Sequence, residues 1–120
     1  MNISTKIDEI NNILNDYTGD QARIWLFDIT HTKLAIKINS KQKQDIIYLV
    51  MSGCKYLKGA FSLNNPKFFV SQYYDHKALE TISKIIDENS DFELSSTTGI
   101  ALAKGLESEF GDSFEGFLKE

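Results

Sequence analysis

Two histidines, His31 and His76, and a single cysteine, Cys54, are the side chains best suited to metal binding or nucleophilic catalysis. Structural zinc takes four nitrogen or sulfur ligands at short spacings. The two histidines lie far apart in the chain, so neither a metal nor another cofactor is expected. His31 sits in the turn Thr30-His31-Thr32, where an exposed ring could act as a general base or touch a ligand. No second titratable group is fixed beside it by spacing, and a local turn residue is the plainer reading. Cys54 would need a base and an electropositive setting to become a nucleophile. Lys55 and Lys58 are close in sequence, and His31 comes near if the first and third strands adjoin. A buried, inert thiol is again the plainer reading.

The run Ser95-Ser96-Thr97-Thr98-Gly99 could present backbone N–H groups to an anion if it opens a helix. The phosphate-loop pattern is missing, because Lys104-Gly105 has the reversed order. Lys58-Gly59-Ala60-Phe61 has a superficial likeness to an RNA-binding core motif but lacks its first aromatic residue. Lysines do alternate with Tyr56, Phe61, Phe68 and Phe69 between Tyr48 and Tyr74, as in surfaces that hold single strands. Lysines that guard sheet edges give the same pattern. Arg23 is the only arginine and the net charge is −4, which disfavours nucleic acid as a partner.

These residues need elements to position them. Ile3, Ile7, Ile10, Leu14 and Tyr17 alternate in steps of four and three, which predicts a helix over Ile3–Tyr17, capped by Asn2 and stopped at Gly19. Ala22–Ile29 is rich in β-branched and aromatic residues and reads as a strand with two apolar faces. Lys33–Asn39 alternates, with Leu34, Ile36 and Ile38 inward and Lys33, Lys37 and Asn39 outward. Ile46–Met51 is a third strand, apolar on both faces, and Lys67–Tyr74 a fourth. Cys54–Pro66 carries Gly53, Gly59 and a turn at Asn64-Asn65-Pro66. From Asp75 to about Asn89, Leu79, Ile82 and Ile86 fit a helix. Phe92–Ser95 reads as a short edge strand. Thr97 or Thr98 opens a last helix carrying Ile100, Ala103, Leu106 and Phe110, ended by Gly111, and Phe114, Phe117 and Leu118 form one more turn. The expected fold is therefore α+β: an antiparallel meander of about four strands, a helix before it and two or three after it, in a single domain over residues 1–120.

At 120 residues the chain is long enough to bury a core without disulfides or metal. A lone cysteine, the absence of a signal-like apolar run at the N-terminus and the absence of a membrane-length apolar stretch together suggest a cytoplasmic protein with no membrane partner. Charge is unevenly spread. Lys33–Lys67 holds seven lysines and one acid, whereas Asp87–Glu120 holds nine acids and two lysines.

The stretch Trp25-x-x-Asp28-x-Thr30-His31-x-x-Leu34-x-Ile36, followed by Cys54-x-Tyr56-x-x-Gly59, resembles a pattern of small uncharacterised bacterial proteins. That likeness covers less than a third of the chain and implies no activity. In size, acidity and helix-then-strands order the chain is also similar to type III secretion chaperones.

Strands with two apolar faces in a sheet covered by helices on one side would leave apolar surface over, which points to a protein partner or a second copy. The expected function is a non-enzymatic protein-binding module, of adaptor, immunity/inhibitor or chaperone-like type, that self-associates. Its candidate pocket or interface comprises Trp25, His31, Tyr48, Cys54, Tyr56 and Tyr73. Glu107, Glu109, Asp112 and Glu115 form a candidate acidic docking surface. The main alternative is a small-molecule-binding domain or enzyme with a pocket between sheet and helices, and single-stranded nucleic-acid binding is third.

Overall fold

The computed structural model describes residues 1–112. It corrects the α+β expectation: these residues form one helix and eight antiparallel strands, curled into a half-barrel. The strands are β1 (Asn2–Ser4), β2 (Gln21–Asp28), β3 (Lys33–Asn39), β4 (Asp45–Lys58), β5 (Ser62–Asn64), β6 (Phe68–Asp75), β7 (Glu80–Asp87) and β8 (Glu93–Leu106), and helix α1 spans Ile7–Tyr17. The order across the sheet is β5-β2-β3-β4-β8-β7-β6, with β1 paired to the C-terminal half of β8. Two meanders, β2-β3-β4 and β6-β7-β8, are thus joined through the long β4–β8 pair.

Both helices expected after the sheet are strands. Leu79, Ile82 and Ile86 fit a helical stripe, but Thr81–Asp87 also alternates, and the strand pattern wins. Ser83, Ile85 and Asp87 are buried on one face, while Ile82, Lys84 and Ile86 occupy the other. Asp75 caps a hairpin tip instead of a helix, its Oδ1 accepting the N–H groups of Lys77 and Ala78. In β8, Ile100 and Leu102 point to the core while Ala101 and Ala103 line the opposite face. The Ser/Thr run suits a pleated backbone, and Gly99 and Gly105 weaken a helix there. Phe92–Ser95, expected as a short edge strand, instead leads into the fourteen-residue β8 and lies inside the sheet, with Leu94 paired to Leu57 of β4 on one side and Ile85 of β7 on the other. Phe114, Phe117 and Leu118 lie outside the described residues.

At the N-terminus the helix starts later than the apolar spacing predicts. Ile3 pairs with Ala103 in β1, Lys6 occupies the N-cap position instead of Asn2, and Thr18 at φ 48° ends the helix one residue before Gly19. The α1 stripe, with Ile10 and Tyr17 fully buried, fills the concave side of the sheet against Ile36, Leu49, Val70, Ile85 and Leu102. β4 continues past Met51 because Gly53, at φ 66°, absorbs an irregularity in its pairing with β8. Gly59 has φ 118°, and a Cβ there would lie 2.8 Å from the Phe92 backbone, so only glycine fits.

Candidate functional site

On the convex face, one cross-strand row runs Arg23–Lys37–Tyr48–Ala103–Ile3 over β2, β3, β4, β8 and β1. Directly opposed residues share a face. A bulge in β2, where register shifts between Ile24 and Leu26, puts Trp25 beside this row. The Trp25 and Tyr48 ring centroids are 6.3 Å apart, and Tyr48 and Phe110 are 4.6 Å apart. Ile46, Tyr48, Ala103 and Phe110 are buried together, with Trp25, Leu26 and Val50 packed against them. The apolar surplus of β2 and β4 is therefore largely taken up within the chain on this half of the sheet, contrary to the expectation of an open second face.

Lys37, expected to point to solvent, does lie on the convex face but is only 5% exposed. Its ammonium donates to Glu107 Oε1 at 2.9 Å and sits 4.4 Å from the Trp25 ring centroid. That hydrogen bond holds the Glu107 carboxyl below the usual carboxylate range. The Arg23 guanidinium approaches the same indole at 5.2 Å. Burial pushes the Tyr48 hydroxyl up to about 12, with the Glu107 charge acting in the same direction. A cavity of about 370 Å³ opens here, lined by Trp25, Tyr48, Glu107, Phe110, Gly111 and Asp112. Trp25 Nε1 is buried with no hydrogen-bond partner among the described residues.

Four predicted site residues thus meet in one place: Trp25 and Tyr48 with Glu107 and Asp112. Glu109 lies close by but serves the backbone, accepting the Leu106 N–H and pairing with the N-terminal ammonium. Glu115 lies outside the described residues. Lys37, Arg23 and Phe110 belong to this cluster and were not among the expected site residues. The opposing charges of the basic middle and acidic end of the chain were the available signal. They meet here and again at Lys67–Glu88, 3.7 Å apart.

The remaining candidates are dispersed. The His31 ring is exposed and lies 3.5 Å from Asp28 Oδ2, in a turn where Asp28 Oδ1 also accepts the Thr30 N–H. Cys54 adjoins this turn through its backbone, donating its N–H to the Thr32 carbonyl at 2.9 Å. Its thiol contacts the Met51 carbonyl and packs against the concave core, and burial pushes it up to about 11. A thiol so protonated near neutral pH is a poor nucleophile. Tyr56 and Tyr73 share the convex face at the far end of the sheet. The row Tyr56–Ser95–Lys84–Ser71 separates them by three strand spacings, roughly 14 Å. Among the described residues no cluster of His, Cys, Asp and Glu could hold a metal ion. Among them, too, no helix is long and apolar enough to cross a membrane.

A third feature lies at the sheet's outer edge. Val70 of β6 exchanges two hydrogen bonds with the side-chain amide of Asn11 on α1, both at 2.8 Å. In an antiparallel ladder the outward-facing residues alternate, so Gln72 and Tyr74 direct their backbone groups to the same open side. Tyr73 and Tyr74 beside that edge are each about half exposed.

Comparison with family models, with curated proteins and with solved structures finds no match for this chain.

Proposed function

We propose that this chain is a protein-binding module that self-associates through the outer edge of β6. The observation that carries this reading is the contrast between the edges of the sheet. β5 and β1 are three residues long, and β5 runs into Asn65-Pro66. β6 is eight residues long, pairs with β7 without a bulge, and contains neither proline nor charge before Asp75. Sheet edges are usually blunted by lysine, proline or irregularity, because an open row of N–H and C=O groups templates further pairing. Asn11 blunts β6 at Val70, and the stretch beyond it has no such guard in its own sequence.

A second copy suits this edge. With Tyr73 on a two-fold axis, Gln72 of one copy faces Tyr74 of the other in antiparallel pairing, and the same patch serves both partners. Ser71 then meets Asp75, and Phe69 meets Lys77, so no like charges oppose. Sedimentation across a concentration series should give a dimer. Lysine at both Tyr73 and Tyr74 should leave a folded monomer with unchanged far-ultraviolet circular dichroism. A wild-type chain that stays monomeric throughout, or a double variant that dimerises as tightly, overturns the reading. Pairing with an extended segment of another protein is a separate outcome, recognised by a monomer that forms only hetero-complexes.

A small molecule in the convex cavity is a second reading, favoured by the buried Trp25 Nε1 that finds no acceptor among the described residues. A ligand with an acceptor for that N–H should raise the melting temperature and shift tryptophan fluorescence.

A further inference from the structure

The tip of the β6–β7 hairpin, residues 76–79, is ordered by its own contacts and carries an apolar side chain in an unfavourable backbone conformation. Asp75 Oδ1 accepts the N–H groups of Lys77 and Ala78, and the His76 and Tyr74 rings meet edge-on with centroids 4.9 Å apart. Leu79 closes the turn at φ 57°, a left-handed conformation that glycine and asparagine adopt at little cost and leucine does not. Among the described residues the other non-glycine positions with positive φ are Thr18, Thr32 and Asn65, all polar. Leu79 is also 75% exposed, so packing within its own chain does little to offset the strain. Strain of this kind persists where a contact makes use of it.

The self-association proposed above determines where this tip goes. With Tyr73 on the two-fold axis, Asp75 of one copy lies opposite Ser71 of the other, and the tip continues along the 67–70 end of the other copy's β6. Strand pairing stops there, because Asn11 already occupies the edge at Val70. The tip is therefore directed over α1, where an open cleft of about 690 Å³ lies between the helix and that end of β6. Leu14 and Pro66, both half-buried, are among its lining residues. Charge also matches: α1 carries Asp8, Glu9 and Asp16 and no basic residue, whereas the tip carries His76 and Lys77 and no acid.

We propose, resting on that reading, that Leu79 is an anchor between two copies of this chain. Each copy's Leu79 docks between α1 and β6 of the other, and Lys77 faces the acidic helix.

The test compares the full chain with Leu79→Asn by sedimentation across a concentration series, and by urea denaturation at a concentration where both are monomeric. Asparagine suits the left-handed turn, so the variant monomer should unfold at higher urea than the wild type. The same variant loses the apolar contact, and its dimer should weaken about tenfold or more, as expected when a buried leucine is removed. Lys77→Glu changes neither the β6 edge nor the turn and should weaken the dimer too. A wild-type chain that dimerises, with Leu79→Asn dimerising as tightly, overturns this inference and leaves the edge pairing standing. A Leu79→Asn monomer less stable than the wild type assigns the leucine to packing within one chain and overturns it as well. A wild-type chain that stays monomeric overturns both.

Discussion

Asn11 stands in for a neighbouring strand: its side-chain amide gives one hydrogen bond to Val70 and takes one from it, both at 2.8 Å, as a paired peptide group would. This contact fastens the only α-helix among the described residues to the edge of the sheet, and Val70 itself is fully buried.

Replacing Asn11 by Ala therefore strands a buried N–H and a buried C=O together. Each unsatisfied group costs about 1–3 kcal/mol, so a loss of about 2 kcal/mol or more is expected after partial access of water. Urea denaturation measures it. Asn11→Asp keeps the acceptor but loses the donor, and should fall between the two. A change in Asn11→Ala below about 0.5 kcal/mol, the usual range of surface substitutions, would sink the idea.

Lys37 and Glu107 make an asymmetric pair, one buried and the other exposed. Glu107→Gln leaves a buried ammonium without its carboxylate and should lower the denaturation midpoint. Adding Lys37→Met removes the charge that needs compensation and should recover the loss, since apolar replacements of buried ion pairs are often neutral or stabilising. A double variant less stable than Glu107→Gln alone contradicts this account.

Phe110 closes the convex cluster from the end of the described chain, 4.6 Å from Tyr48. Phe110→Ala should destabilise by about 3 kcal/mol through lost burial and the cavity left behind. Trp25, the only tryptophan, reports the site directly. Its fluorescence in the folded variant should move toward that of a solvated indole, and an unchanged spectrum would argue against the packing described.

The pH dependence has two sides. Burial pushes the hydroxyls of Tyr17 and Tyr48 up to about 12, from 10 in an open chain, and the Cys54 thiol up to about 11, from 9. Each folded value exceeds the unfolded one, so the fold favours the protonated form. That contribution is complete below the unfolded value and is lost as pH rises through the folded one. Stability should decline from about pH 9 to about pH 12, with tyrosinate absorbance for these two residues appearing late. Glu107 has the opposite sign: held low by Lys37, it contributes above the unfolded carboxylate value and loses that contribution as pH falls through the folded one. Glu107→Gln should flatten the acid side and, by removing a charge that helps raise Tyr48, bring the alkaline decline to slightly lower pH.

The strands that alternate or carry many β-branched residues were readable from sequence. Lys33–Asn39 forms β3 with the same bounds, and Leu34, Ile36 and Ile38 face the core as their spacing implies. Periodicity failed where a strand buries both faces. Ile82, Ile85 and Ile86 satisfy a helical stripe and a pleated alternation equally, and the turn that folds β7 back on β6, from Asp75 to Glu80, carries an Asp that suits a helix start as well as a hairpin tip. The same ambiguity hid β8, whose mate β4 is remote in the chain, from Lys58 opposite Glu93 to Asp45 opposite Leu106. Of the site, Trp25 and Tyr48 were legible as large rings on two-faced strands. Lys37 was not, because alternation indicates which face a residue takes and cannot show that Phe110 and Glu107 close over it. Asn11 lies off the apolar stripe that predicts the helix, and nothing local reveals that its amide will pair with a strand edge.

The β4–β8 pair has a consequence for how the molecule is made. Its register runs from Asp45 opposite Leu106 to Lys58 opposite Glu93, so the central seam zips together segments from opposite halves of the chain. On the ribosome the first meander emerges and must wait, with β4 exposed along one side, until β8 has been translated. Completion of the sheet is therefore a late, nearly all-or-none event, and a stalled or truncated product displays the very backbone that the finished protein keeps at its centre.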